Sequence, residues 1–264
     1  MTDEALRFFL VLLVGSVGQL LDGTLGMGFG VFSASMLLAA GFAPVSVVAT
    51  VNAAKILTGF FSGLAHWKAG NVRRDWLLPL IIPGVIGGAL GAHLLASLPQ
   101  EKFRFWMAVV LVGMGVLILC RSLFPTVVFL APSSASESLR RFSRSFYLGI
   151  LGFAAGILNA VSGAYGPLAT SGVILIGRAK PSRAVGTVNV AEIFVAGAVI
   201  SSLLSEKGLQ TLSWDLAFAL TLGGALTAPL AAYACRRLPS RVLQVGVGLA
   251  LISLNLRVVI SQIG

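Results

Sequence analysis

Charged residues are scarce in this chain. They make up 11% of its 264 residues, whereas 57% are hydrophobic, and the mean hydropathy is +0.95. Soluble domains carry about 25% charged residues, because they must cover a surface that contacts water. The composition therefore excludes a soluble globule and predicts an integral membrane protein.

Cysteines and enzyme motifs are also scarce. The two cysteines, Cys120 and Cys235, are too few for a disulfide framework, and we expect both to be free thiols. The sequence has no HExxH, no CxxC and no glycine-rich loop with the lysine that phosphate binding requires. These absences predict a protein that is not an enzyme and that uses no cofactor and no metal.

The net charge of +10 comes from arginines and lysines that cluster between apolar runs. Such clusters are typical of loops on the cytoplasmic side of a membrane protein. We therefore interpret the charge as a signal of membrane topology, and we predict a lipid bilayer rather than a nucleic acid as the surroundings of this chain.

Ten apolar segments follow one another, and continuous apolar runs predict helices rather than the alternating strands of a membrane barrel. They form two groups of five, at 6–21, 25–42, 45–65, 76–97 and 103–123, and at 145–158, 162–177, 184–204, 213–234 and 240–262. Between the groups lies a polar stretch. We predict a first membrane repeat at 1–124, a cytoplasmic linker at 125–144 and a second membrane repeat at 145–264.

The second group repeats the first. Thr50–Ile56 (TVNAAKI) matches Thr187–Ile193 (TVNVAEI) at an offset of 137 residues. The same offset relates Gly15 to Gly152, Gly26 to Gly163, Pro44 to Pro181 and Asp22 to Asn159. A series of matches in one register indicates a duplicated chain, and internal repeats of this kind are common in transporters.

The basic residues predict that the two repeats are inverted. If each half crosses the membrane an odd number of times, thirteen of the nineteen arginines and lysines fall on one side and four on the other, with Lys55 and Arg257 inside spans. An even number of crossings divides them nine to eight. The positive-inside rule favours the uneven division, with both termini outside and the linker in the cytoplasm.

The first two segments of each half are shorter than the ~20 residues of an upright span. Asp22–Gly30 and Asn159–Pro167 separate them. We predict for each pair either a re-entrant hairpin or two short, tilted spans. The predicted fold is thus an all-α polytopic membrane protein with two inverted repeats, each a broken or re-entrant helix pair plus three transmembrane helices. Close helix packing is the alternative explanation of the glycines.

Polar residues near these breaks are candidate substrate ligands. Helix N-termini beside the glycines suit an anion, whereas helix C-terminal carbonyls in the same hairpins suit a cation. Side-chain amides in the third segments donate to substrate oxygens or cap broken helix ends. The candidate substrate-binding residues are Thr24, Gly26, Gly28, Asn52, Lys55, Ser162, Gly163, Tyr165 and Asn189.

Lys55 lies halfway along the third segment, where a charge costs at least ~2.5–3.5 kcal/mol, and Glu192 is its partner in the repeat. One hypothesis is that Lys55 attracts an anionic substrate while Glu192 or Asp22 carries a coupling proton. The other is that Lys55 and Glu192 form a salt bridge that only holds the halves together, while Asp22 caps a half-helix.

Several motifs resemble the sulfite exporter TauE/SafE family of membrane permeases. They are the glycine-rich first break, Gly41–Pro44 (GFAP), Ala49–Asn52 (ATVN), the loop His66–Asp75 and Gly87–Ala92 (GGALGA). The resemblance implies a multi-pass transporter in a prokaryotic inner membrane, usually an exporter, of small sulfur-containing anions such as sulfite or organosulfonates such as sulfoacetate.

Alternatives remain beside this resemblance. The chain lacks nucleotide and redox motifs, so a transporter of this sequence is expected to be a secondary carrier with alternating access around a midplane site. The sequence also permits a carrier of another small anion, a cation or a metabolite, and a non-transporting membrane assembly subunit. The sequence does not determine the oligomeric state, and a homo-oligomer is one of the options.

Overall fold

The computed structural model describes residues 3–123, 137–177, 180–234 and 240–262, and within them it contains helices and no strand. Five α-helices belong to the first half: α1 (Asp3–Leu25), α2 (Phe29–Ala39), α3 (Pro44–Lys68), α4 (Arg74–Ala96) and α5 (Gln100–Leu123). Five belong to the second: α6 (Glu137–Ser162), α7 (Tyr165–Gly177), α8 (Pro181–Lys207), α9 (Trp214–Ala234) and α10 (Ser240–Ile260). A 3₁₀ turn, Leu209–Thr211, precedes α9. The ten predicted segments are therefore ten helices.

Seven of the described helices are long and apolar enough to cross a membrane: α1, α3, α4, α5, α6, α8 and α10. The helices α2 and α7 are apolar but have only 11 and 13 residues. Such lengths are too short for an upright span. The structure thus confirms the predicted all-helical, polytopic membrane class.

Two sequence predictions differ from the structure at helix ends. The sequence predicts two short segments at the start of each half, but α1 and α6 have 23 and 26 residues. Only the second member of each pair is short. The first apolar run ends before the charged Asp22, whereas helical hydrogen bonding continues through Asp22 to Leu25 in α1. For the same reason α6 begins at Glu137, inside the predicted linker, whose residues 125–136 lie outside the described residues, as does Cys235.

Each half contains one break in the same place. Gly26 and Gly163 have φ angles of +67° and +69°, in the left-handed region that glycine adopts at little cost. The N–H of Gly26 donates to the carbonyl of Asp22 at 2.6 Å, and that of Gly163 to the carbonyl of Asn159 at 2.8 Å. The two long helices α1 and α6 therefore end in equivalent glycine turns.

The two halves are interlocked, because helices of one half pack closely on helices of the other: α1 lies against α9, and α4 lies against α6. Glycines allow this approach. A Cβ atom at Gly15 would lie 2.8 Å from Leu220 Cα, and one at Gly152 would lie 3.1 Å from Leu80 Cα. Small residues at such contacts let helix backbones come together in a membrane.

The helices α3 and α8 cross at the centre. Lys55 pairs with Glu192, whereas Ser62, further along α3, contacts Asn189, earlier on α8. The two helices therefore run antiparallel. By contrast α1 and α9 run parallel, because Phe8 contacts Phe218 and, further along both helices, Ser16 contacts Thr227.

Most of the described basic residues lie at one end of the molecule, which we call the basic end. There α3 and α5 finish and α4, α6, α8 and α10 begin. Hydrogen bonds connect these termini: the N–H of Arg73 donates to Thr187 Oγ1 at 2.9 Å, and Ser122 Oγ donates to the carbonyl of Arg241 at 3.2 Å. The basic end carries Lys68, Arg73, Arg74, Arg121, Arg144, Lys180, Arg183 and Arg241, and the opposite end carries Arg7, Lys102, Arg104, Lys207 and Arg257, which lies in the last turn of α10.

Candidate functional site

A small polar cavity lies among α1, α2, α3 and α8, with room for about one water molecule. Four of its lining residues are among the residues predicted as substrate or coupling sites. The cavity is lined by Gln19, Asp22, Phe29, Lys55, Thr58, Gly59, Ser62, Asn189 and Glu192. Two carboxylates and one ammonium group therefore surround the same space.

Lys55 is the centre of the polar network. Its Nζ donates to the carbonyl of Gly163 at 2.7 Å, to Asn159 Oδ1 at 3.0 Å and to the carboxylate of Glu192. The side chains of Lys55 and Glu192 are 6% and 12% exposed. An ammonium group has three donors, and all three are used by acceptors from the second half. The predicted Lys55–Glu192 salt bridge is formed.

Asn52 joins this network through Asn159, on the side away from the cavity. The Nδ2 of Asn159 donates to Asn52 Oδ1 at 2.7 Å, and Asn52 Nδ2 donates to the carbonyl of Val48 at 2.9 Å. Asn52 and Asn159 are both fully buried. Asn52 does not line the cavity, so it positions Asn159, which in turn accepts from Lys55.

Asp22 caps the short helix α2. Its Oδ1 accepts from the N–H of Gly28 at 3.0 Å and lies 3.5 Å from the N of Phe29. The positive end of the α2 dipole is thus occupied by a carboxylate of the protein itself. Glycine is required nearby, because a Cβ atom at Gly30 would lie 2.5 Å from Lys55 Nζ.

Asn189 contributes an amide to the cavity wall. Its Nδ2 donates to Ser62 Oγ at 2.9 Å. Its Oδ1 is buried and has no hydrogen-bond partner among the residues that the structure describes. Buried polar atoms are nearly always paired, so the amide of Asn189 keeps a spare hydrogen-bonding atom beside the cavity.

Seven of the nine predicted ligands do not line the cavity. Gly26, Gly28, Asn52 and Gly163 lie beside it, in the glycine breaks or in the Lys55 network, whereas Thr24, Ser162 and Tyr165 lie elsewhere. The hydroxyl of Thr24 donates to the carbonyl of Leu20 at 2.7 Å, and that of Ser162 donates to the carbonyl of Leu158 at 3.0 Å. Both hydroxyls therefore bond back to their own helices. Tyr165 is buried in an apolar cluster on the α4 side. None of the three is among the residues that line the cavity.

The two glycine breaks meet each other. Thr170 Oγ1, on α7, donates to the carbonyl of Gly26 at 2.9 Å. A Cβ atom at Gly166 would lie 3.2 Å from Met27 Cα. The turns that end α1 and α6 are thus packed against each other, beside the Lys55 network.

Five residues that line the cavity are not among the predicted site residues: Gln19, Phe29, Thr58, Gly59 and Ser62. A signal was available, because positions three, four and seven residues after Lys55 lie on the same face of a helix. The cavity is also asymmetric. At the offset of 137 residues, Gln19, Thr58 and Ser62 correspond to Gly156, Val195 and Val199. The polar residues that line the cavity in the first half therefore have nonpolar counterparts in the second half.

These features define a polytopic helical membrane protein with a buried ion pair and a polar cavity at its centre. The family model described as "Sulfite exporter TauE/SafE" matches residues 11–258, and the chain belongs to this family of membrane transporters. It is 34% identical over 252 residues to the probable membrane transporter protein YtnM of Bacillus subtilis (strain 168), an alignment that covers 94% of this chain and 81% of that protein. No solved structure matches the chain.

Proposed function

We propose that the protein is a secondary transporter that exports small sulfur-containing anions, such as sulfite or organosulfonates such as sulfoacetate, across a prokaryotic inner membrane. The observation that carries this proposal is the buried ammonium group of Lys55, halfway along α3, at the wall of a polar cavity. The name of the matching family model supports the class of substrate.

In the proposed mechanism, a substrate oxyanion replaces the carboxylate of Glu192 as the partner of Lys55. The cavity has room for about one water, so the substrate can enter only when the packed glycine breaks separate. The carboxylate of Glu192, released from Lys55, takes up a proton, because two anions beside one buried cation would leave an unpaired charge. Asp22 is the second acid at the cavity and the second candidate for proton coupling.

The proposed topology is a pair of inverted repeats, 1–124 and 145–264, with both termini outside and the linker 125–144 in the cytoplasm. The antiparallel crossing of α3 and α8, which are equivalent helices of the two halves, supports it, because an axis in the membrane plane reverses the direction of every helix. The basic end would face the cytoplasm. Arg74→Cys and Lys207→Cys, each in a variant without the native cysteines, should react with an impermeant maleimide from opposite sides.

A cation carrier is the second candidate. Asp22, Glu192 and the Oδ1 of Asn189 place acceptors around the cavity, and acceptors suit a cation. The two candidates differ at Lys55. In an anion carrier Lys55→Ala removes the main attraction for substrate, whereas in a cation carrier the same change leaves affinity intact.

Equilibrium binding of sulfite and sulfoacetate to the detergent-purified protein tests the proposal. We expect saturable binding by the unaltered chain, a loss of at least about tenfold in affinity for Lys55→Gln, which removes a charged hydrogen bond, and a smaller loss for Asn189→Ala. Ser162→Ala is the matched control, because among the described residues the hydroxyl of Ser162 bonds to the carbonyl of Leu158 in its own helix and does not line the cavity. If folded protein binds neither anion, the proposed substrate class is wrong.

A further inference from the structure

Arg121, in the last turn of α5, is a half-buried cation with weak partners. Its Nη1 donates to Ser171 Oγ at 2.9 Å and lies 3.6 Å from Met27 Sδ. No carboxylate of the described residues lies within ion-pair distance of it. A guanidinium group has five N–H donors, and a thioether sulfur is a poor acceptor. The partial burial of this charge is therefore poorly compensated.

The position of Arg121 connects it with both glycine breaks. Ser171 lies on α7, and Met27 lies in the turn between α1 and α2. The residues that precede these two, Thr170 and Gly26, are hydrogen-bonded to each other at 2.9 Å. Arg121 thus contacts both breaks where they touch, on the side of the basic end.

The central cavity lies just beyond these contacts. Met27 is followed by Gly28, whose N–H donates to Asp22, and by Gly30, which packs against Lys55. The packed breaks therefore stand between Arg121 and the Lys55 network. An anion that arrives from the basic end meets the guanidinium of Arg121 before it meets the ammonium of Lys55.

We propose that Arg121 is a second anion-binding site, an entry site that receives a small oxyanion such as a sulfonate at the basic end before it reaches Lys55. This inference rests on the proposed function and deepens it. An oxyanion offers two oxygens to the planar guanidinium fork and is a stronger partner than a hydroxyl or a sulfur. By binding it, Arg121 releases Ser171 and Met27 and loosens the contact between the breaks.

The second half has no equivalent cation. Leu98-Pro99 and Leu238-Pro239 align at an offset of 140 residues, and this offset places Ser261 at the position that corresponds to Arg121. If the entry site lies at only one end of the molecule, the anion is captured from that end. The asymmetry agrees with export if the basic end faces the cytoplasm.

Transport of radiolabelled sulfoacetate, measured in intact cells and in inverted membrane vesicles, tests the entry site. For Arg121→Gln we expect the apparent KM to rise about tenfold when substrate is supplied to the inner face, because a charge-assisted hydrogen bond is lost, and to stay unchanged at the outer face. For Arg121→Lys, which keeps the charge, the apparent KM at the inner face should lie between those of the unaltered chain and Arg121→Gln. Arg104→Gln is the matched control, because Arg104 is also half-buried but donates to the carbonyl of Leu38 at the opposite end, at 2.8 Å.

The outcomes separate the two proposals. An equal change of KM at both faces, or a lower maximal rate at unchanged KM, would make Arg121 a structural clamp and refute the entry site, while the proposed function stands. An increase confined to the outer face supports the entry site and reverses the proposed orientation. If the unaltered chain shows no saturable transport at either face, the proposed function fails and the entry site with it. Thermal unfolding of each purified variant establishes that it is folded.

Discussion

Replacement of Lys55 by methionine should destabilise the protein strongly. The side chain of Lys55 is 6% exposed and its ammonium group has three acceptors. The change Lys55→Met leaves the carboxylate of Glu192 buried without its cation. Removal of one partner of a buried ion pair costs about 3–5 kcal/mol, because the remaining charge is uncompensated. The loss should exceed that of any surface substitution, which normally stays within about 0.5 kcal/mol.

The double variant Lys55→Met/Glu192→Gln should recover part of this loss. With both charges gone, no buried ion remains unpaired, and the two changes should be non-additive by about 2–3 kcal/mol. Binding should not recover, because the double variant has no ammonium group for an anion. The double variant should therefore regain stability without regaining anion binding. This combination distinguishes a lysine that binds substrate from one that only joins the halves.

Thermal unfolding in detergent and sulfoacetate binding, measured on the four proteins of this double-mutant cycle, provide the assay. Additive stability changes would show that the two side chains do not interact. A double variant that binds sulfoacetate as well as the unaltered chain would refute the role of Lys55 in substrate binding and leave the ion pair with a purely structural role.

Three further predictions follow from the same geometry. Glu192→Gln and Asp22→Asn should each flatten the pH dependence of transport in proteoliposomes, because each removes a group that can carry a proton, and proton coupling is wrong if both variants keep the original profile. Gly26→Ala should lower the unfolding temperature, since a Cβ atom would meet Val185 and the φ angle of +67° is strained for alanine by about 1 kcal/mol or more. Gly113→Ala should not lower it, because no atom of the other described helices lies within 4 Å of the added Cβ. Asn52→Ala should weaken anion binding less than Lys55→Gln but destabilise the fold by about 1–3 kcal/mol, because it leaves Asn159 Nδ2 without its acceptor at a buried site; an Asn52→Ala variant of normal stability would contradict this positioning role.

The helical membrane class could be predicted from composition, and the ten helices from their apolar runs. The hydrophobicity of each segment determines these features, so they can be predicted without knowledge of long-range contacts. The helix ends could not be predicted in the same way, because α1 continues through Asp22 and α6 begins among polar residues at Glu137. There backbone hydrogen bonding, rather than hydrophobicity, decides where a helix stops.

Part of the site could also be predicted. The repeat offset aligned Lys55 with Glu192, and the structure joins them. It also aligned Asp22 with Asn159. The contact of Asn159 with Lys55, however, depends on how α6 packs against the helices of the first half, and no local sequence pattern encodes this packing. Thr24 and Ser162 carry the right chemistry for ligands, yet their hydroxyls bond to their own helices. Side-chain direction, not residue type, separates them from the cavity.

The interlocking of the halves has a consequence for biosynthesis. The three acceptors of Lys55 follow it by 104, 108 and 137 residues, and α1 receives its main packing partner only when α9, which begins at Trp214, has been made. The ribosome therefore delivers the first five helices to the membrane well before their most extensive packing partners, which belong to the second half, exist. We therefore expect much of the tertiary packing to form only after the second half is inserted. A nascent chain that stops after the first half would lack the three acceptors of Lys55, a feature by which membrane quality control could recognise it.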